Sequence, residues 1–255
     1  KPFACNYLSH SNEINQSCLL GVKENSKPTM ALIGDSHADH LLQSFNNRLI
    51  KDGLTAYNFS FKNCGPANFI SNTSNFTDNL CFEKISNFLK NNKNINKVFI
   101  SFRWVTSLPG IGYGNFAKKY RTTLNETILK TRGEIVAKKL ENLAGSDLKL
   151  IIIYPVPEAG EDVPNFTVKK RILGEKNFTL RIPYTSFVER NKFAYYALDL
   201  ISTKNILRVY PSKILCEETL EGYCETIINK KSLYYDDDHL SNYGASLLVP
   251  LMFSE

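Results

Sequence analysis

No run in this chain of 255 residues approaches the roughly eighteen consecutive apolar residues of a membrane-crossing helix, and no charged-then-apolar start marks a secretory signal. Nothing here is expected to span or target a membrane by itself. There is no Gly-x-Ser-x-Gly elbow, which excludes the common α/β-hydrolase serine turn. There is no Gly-x-Gly-x-x-Gly fingerprint and no Gly-Lys-Ser/Thr phosphate loop, so nucleotide cofactors are unsupported. The cysteines never stand in the repeated Cys-x-x-Cys spacing of zinc sites. The net charge of +6 is scattered along the chain, and no basic helix with interleaved aromatics argues for nucleic acid.

With 43% hydrophobic and 22% charged residues, the chain can build one sizeable α/β domain with a real core, and a second full domain is not expected. It starts at Lys1 rather than at a methionine, so we expect a processed or excised piece with any anchor or partner domain upstream. Six cysteines fall as three neighbouring pairs, Cys5 with Cys18, Cys64 with Cys81 and Cys216 with Cys224. Many connectivities are open to six cysteines, and sequential pairing in an oxidising compartment is the expectation.

Residues 1–27 lack a sustained period and read as an N-terminal extension, and residues 28–255 read as the domain proper. Apolar strands over 29–33, 54–59, 97–102, 149–154 and 205–210 alternate with amphipathic helices over 38–51, 78–89, 120–143 and 186–200. A last helix begins at Asn242. Strands alternating with helices predict a three-layer α/β/α sandwich around a mostly parallel sheet. From 158 to 184 the pattern lapses into a polar, basic, proline-bearing stretch that reads as a long functional loop.

Two short segments carry chemistry. Gly34-Asp35-Ser36-His37 follows the first strand, where ligands of open α/β sheets bind. Asp236-Asp237-Asp238-His239 precedes the last helix. A serine hydroxyl is nearly inert until a base takes its proton, and His239 is that base in this reading. Asp236, three residues earlier, would hold the imidazole Nδ1 proton and stabilise the imidazolium. The plainer reading makes Asp35 or Ser36 an ordinary helix cap and the three aspartates a solvated patch. A binuclear metal centre on Asp35, His37, His40 and His239 is the competing use, but four histidines in all are too few, and no metal is expected. His37 and His40 then read as partly exposed residues of the first helical turn.

Ser36 in Gly-Asp-Ser-His, with Asp236-x-x-His239-Leu240-Ser241, resembles blocks I and V of the SGNH (GDSL-type) esterases and acyltransferases over residues 28–255. Softer features resemble one branch, the SGNH domains fused behind membrane acyltransferase-3 domains in bacterial O-antigen O-acetyltransferases. These are the cysteine-containing N-terminal strap, the Cys64-Gly65-Pro66 loop, Phe102-Arg103-Trp104, and Tyr154-Pro155-Val156-Pro157-Glu158.

The resemblance implies a flavodoxin-like three-layer fold and a periplasmic domain of an inner-membrane protein that transfers acetyl groups to a lipopolysaccharide sugar. It also implies acetyl-CoA as the ultimate donor, delivered through an upstream membrane acyltransferase domain, with no cofactor bound here. Ser36 and Gly65 would donate backbone amides to the oxyanion hole. The family's third donor, an asparagine after the third strand, is missing, since that segment reads Ser101-Phe102-Arg103-Trp104. Arg103, the Trp104 indole or Asn63 would replace it, or else Arg103 pairs with a carboxylate and Trp104 fills the core. Trp104, Tyr234 and Tyr235 are candidates for a sugar platform, together with the basic stretch from Lys169 to Arg181. A secreted esterase and a non-catalytic glycan-binding module are the alternative functions.

Overall fold

A computed structural model describes residues 19–22, 27–69, 73–112, 125–145, 147–176 and 178–254. Along the chain these form β1 (Leu19–Gly21), β2 (Met30–Gly34), α1 (Ser36–Asp39), α2 (Leu42–Lys51), β3 (Thr55–Ser60), β4 (Ala67–Phe69), β5 (Phe76–Asp78), α3 (Leu80–Asn91) and β6 (Lys97–Ser101). There follow α4 (Glu126–Ala144), β7 (Lys149–Ile153), α5 (Val163–Ile172), β8 (Arg181–Pro183), α6 (Tyr184–Asp199), β9 (Ile206–Val209), α7 (Ser212–Leu215), β10 (Tyr223–Glu225), β11 (Ile227–Ile228), β12 (Lys231–Ser232) and α8 (Asn242–Met252).

The main sheet runs β1-β3-β2-β6-β7-β9, parallel throughout except for β1, which lies antiparallel on β3. Numbered among themselves, the five parallel strands stand in the order 2-1-3-4-5 of flavodoxin-like sheets, whose switch point lies at the end of the first, β2. The segment 1–27, read as an extension, thus contributes an edge strand.

Each central strand divides its residues between two cores. Ala31, Ile33, Val98, Ile100, Leu150 and Ile152 face α3, α4 and α6. Met30, Leu32, Phe99, Ile151 and Ile153 face α2 and α8. Both faces are covered, which is why these strands read as unbroken apolar runs rather than alternating ones.

The predicted helix over 38–51 is broken at His40-Leu41 into α1 and α2. The expected long loop over 158–184 holds α5 and β8. Asp162 caps α5, its side chain accepting the Asn165 N–H at 2.8 Å, and Pro164 occupies the first turn, where a proline is tolerated. Disulfides join Cys64 to Cys81 and Cys216 to Cys224 as the neighbour pairing anticipated. The expected pair Cys5–Cys18 lies outside the described residues. Among the described residues, no helix is long and apolar enough to cross a membrane.

Candidate active site

Ser36 stands immediately beyond β2, at the sheet's switch point. The turn that presents it demands a glycine at position 34: a β-carbon there would sit 1.8 Å from the Ser101 carbonyl oxygen and 2.5 Å from the Ala38 side chain. Asp35 caps α1 by accepting the His37 N–H at 2.8 Å, and its carboxylate also accepts the Arg103 N–H at 3.0 and 3.1 Å. Ser101 Oγ donates to the His37 carbonyl at 2.9 Å. The serine turn is therefore stitched to the end of β6, and Ser36 is left exposed on α1's first residue.

His239 arrives from the opposite end of the chain on a loop pinched at its base. Tyr234 bridges Leu240, the Tyr235 N–H reaches the His239 carbonyl at 3.0 Å, and the Ser241 N–H reaches the Leu233 carbonyl at 2.8 Å. Inside the loop, Asp236 Oδ1 accepts the N–H groups of Asp238 at 2.9 Å and His239 at 2.7 Å, so one carboxylate shapes the turn. Its other oxygen lies 2.7 Å from His239 Nδ1. His239 Nε2 lies 2.7 Å from Ser36 Oγ. With Nδ1 facing carboxylates it carries the proton, which leaves Nε2 to accept from the serine hydroxyl. Hydroxyl, imidazole and carboxylate thus form one hydrogen-bonded chain across 203 residues of sequence.

Asp238 is the residue sequence reasoning passed over. Read as part of a solvated patch, it is buried, with its Oδ1 3.2 Å from His239 Nδ1. Its Oδ2 accepts from His37 Nε2 at 3.1 Å and from Arg103 Nη1 at 3.0 Å. Arg103 Nε donates to Glu158 at 2.6 Å, and the buried Arg190 donates to the other Glu158 oxygen at 2.9 Å. Charges of alternating sign therefore run inward from the imidazole, each buried ion held by neighbours of opposite sign. The sequence signal was present in the Arg103 and Glu158 positions, but no local period links them.

Burial on its own lowers the proton affinity of His239, yet Asp238 first and Asp236 second outweigh it, and the imidazole is pushed up to about 9. Asp238 itself is held well below the ordinary carboxylate range: burial opposes this, but the hydrogen bonds from His239 and His37 and the charge of Arg103 prevail. His40 goes the other way. Burial, then the neighbouring His37 and His239, keep it neutral, and its Nδ1 accepts the Leu240 N–H at 3.3 Å.

Several expectations need correction. His37 and His40 are buried, not partly exposed, because α1 is clamped between β6 and the His239 loop. Trp104 is in the core and its indole donates to the Ile153 carbonyl at 2.9 Å, so it serves neither as sugar platform nor as oxyanion donor. Tyr234 is likewise buried, its hydroxyl spent on the Pro157 carbonyl at 2.6 Å. The Arg103 guanidinium is taken up by Glu158 and Asp238, which is the core-pairing alternative rather than the oxyanion one. Tyr235 remains available: it is half exposed and stacks on His239 with ring centroids 5.2 Å apart.

The Gly65 loop is held beside the serine turn, the Phe61 N–H bonding the Gly34 carbonyl at 2.8 Å. Cys64–Cys81 and Asn79 anchor the loop's far side; the Asn79 amide donates to the Asn63 carbonyl at 2.9 Å. Asn63 is exposed with φ at 60°, and Gly65 borders open space.

His37, Asp238 and His239 bring three donor atoms within 4.8 Å of one another, the spacing a metal ion could use. All three are already engaged with each other, and the Arg103 charge on Asp238 opposes a second cation there.

A serine at the switch point of a 2-1-3-4-5 sheet, hydrogen-bonded to an imidazole backed by carboxylates, is the arrangement of serine-type ester chemistry. A family model described as an SGNH domain (fused to AT3 domains) matches residues 4–253. The chain belongs to that family, whose fold and type of domain are those of enzymes acting on esters. Among solved structures, it is similar to the periplasmic domain of a lipopolysaccharide acetyltransferase of Salmonella ser. Paratyphi A. The two are 17% identical, over 89% of this chain and 82% of that one, with a TM-score of 0.60. At such identity the likeness speaks for the fold alone. A possible lipase from Chitinophaga pinensis DSM 2588 is 16% identical over 89% of this chain and 96% of that one, with a TM-score of 0.40. No curated protein matches the chain.

Proposed function

We propose that this domain is a serine-dependent O-acetyltransferase that accepts an acetyl group on Ser36 and passes it to a sugar hydroxyl of a surface polysaccharide. The observation that carries the proposal is the pair of 2.7 Å contacts joining Ser36, His239 and Asp236. In the first half-reaction Ser36 Oγ attacks the donor's acetyl carbonyl while His239 Nε2 takes the hydroxyl proton. The donor's leaving group departs with that proton, and acetyl-Ser36 remains. In the second, His239 deprotonates the sugar hydroxyl, which attacks the acetyl carbonyl, and the proton returns to Ser36 as the ester bond to it breaks.

Asp236 holds the ring in the required tautomer, and Asp238 adds a second negative charge behind it. The backbone amides of Ser36 and Gly65 would face the developing oxyanion. A missing third donor typically costs about 2.7–4 kcal/mol of transition-state stabilisation. Tyr235, stacked on His239 at the surface, is the aromatic we assign to the acceptor sugar. The donor group would originate as acetyl-CoA and reach Ser36 through an upstream membrane acyltransferase domain of the AT3 type, with this domain on the periplasmic side of the inner membrane. The family's fusion to AT3 domains supports that route.

The test is incubation with p-nitrophenyl acetate, with and without candidate oligosaccharides. Release of p-nitrophenol with a 42-dalton gain on Ser36, roughly the mass of an added acetyl group in acyl-enzyme chemistry, and acetylated sugar as product are expected. Ser36→Ala should remove both, and full activity of the parent protein carrying that change would leave the glycan-binding reading standing. A second reading, hydrolysis, is favoured by one observation: Ser36 is exposed, so water reaches the acyl-enzyme. Acetate as sole product with every acceptor would support it.

A further inference from the structure

We propose that α5 is an interfacial docking helix that seats this domain on an anionic phospholipid surface. Of its ten residues only Val163 is buried. Val168 is 54% exposed and Ile172 79%, and Leu173, just past the helix, is 63% exposed. At about 100° per residue, Val168 and Ile172 share the outward face, and Arg171 and Lys169 stand about 60° outside it, one on either side. Lys170 lies towards the inner side over the Phe166 ring and pairs with Glu175 at 2.8 Å, so it adds little net charge. Arg171 and Lys169 carry the positive flank.

Val168 and Ile172 form an exposed apolar strip, and Leu173 lies about 100° round from Ile172 on the far side of Lys169. An apolar stripe bordered on both sides by cations matches a bilayer interface, where the aliphatic groups enter the headgroup boundary and the cations meet anionic lipid. Charge complementarity thus selects an anionic membrane over a neutral one. The helix begins at the catalytic loop, where the Val163 N–H bonds the Asp236 carbonyl at 3.2 Å and the Ala159 N–H bonds the Asp237 carbonyl at 2.7 Å. Ten residues span about 15 Å, so docking through the far end of α5 would hold the serine turn at a set height above the lipid.

The inference does not depend on Ser36 chemistry and is tested by vesicle cosedimentation of the intact chain. Vesicles of phosphatidylglycerol and phosphatidylethanolamine should bind it, pure phosphatidylcholine should not, and added salt should weaken the binding. Ile172→Ser with Leu173→Ser, and separately Lys169→Glu with Arg171→Glu, should each weaken binding at least tenfold. The Ile172→Ser, Leu173→Ser variant should keep wild-type thermal stability and p-nitrophenyl acetate hydrolysis, since both side chains are exposed. Absence of binding to anionic vesicles would overturn the proposal. Equal binding to both vesicle types, or wild-type binding by either double variant, would overturn it as well.

Discussion

Asp238→Asn isolates the unexpected carboxylate. In the intact site the His239 imidazole is pushed up to about 9, against the effect of its own burial, by Asp238 ahead of Asp236. Only the neutral ring accepts the Ser36 proton, so kcat/KM for an ester should climb with pH and level off near that value. The substitution removes a negative charge 3.2 Å from Nδ1 and leaves the Arg103 guanidinium, which had been 3.0 Å from the lost carboxylate, less compensated. Both changes favour the neutral ring. An opposite charge at such range is worth about 1–3 pH units, so the rising limb should move down by that amount. The assay is initial-rate hydrolysis of p-nitrophenyl acetate across the limb, with Ser36→Ala as the blank. Asp236→Asn makes the contrast, because it removes the closer orienting contact at 2.7 Å and should lower kcat by orders of magnitude. An Asp238→Asn enzyme that folds normally and shows an unmoved or more alkaline limb would refute the assignment of Asp238 to the imidazole's charge.

The same linkage acts on stability. The folded-state proton affinity of His239 lies above the ordinary imidazole value of 6.5, so its contribution is fully present below that pH and is lost as pH rises towards about 9. Melting temperature followed across that window should decline, less steeply in Asp238→Asn. Glu158→Gln leaves Arg103 and the buried Arg190 without their shared counter-ion and should destabilise the fold by about 3–5 kcal/mol in urea titration. Gly34→Ala places a methyl group 1.8 Å from the Ser101 carbonyl, and overpacking of that kind should cost about 1–3 kcal/mol or more, read in the same titration, with loss of esterase activity. Replacing Cys64 and Cys81 by serine frees a span of 17 residues and should cost about 3 kcal/mol by thermal unfolding, with a fall in kcat as the Gly65 loop loosens.

The elements that position the site were legible where the pattern was local. Continuous apolar runs marked β2, β6 and β7, because strands covered on both faces need little polar alternation. Asp236 and His239 could be paired from their spacing alone, and Ser36 from its place after the first strand. Short elements were harder. The helix α5 hid in a polar, basic stretch because it buries only Val163, so no inward apolar stripe marks it in the sequence.

What the chain's order of residues determined was the set of candidate reacting groups and the class of sheet that carries them, since both follow from patterns a few residues long. The tertiary structure alone decided the fate of every side chain whose partners lie far away. Asp238 became a buried carboxylate that accepts from His37, Arg103 and His239, and Trp104 and Tyr234 became core residues with their polar ends satisfied by carbonyls. Burial and charge pairing depend on distances between segments brought together only by folding, and a charged or aromatic side chain carries no mark of which environment it will enter.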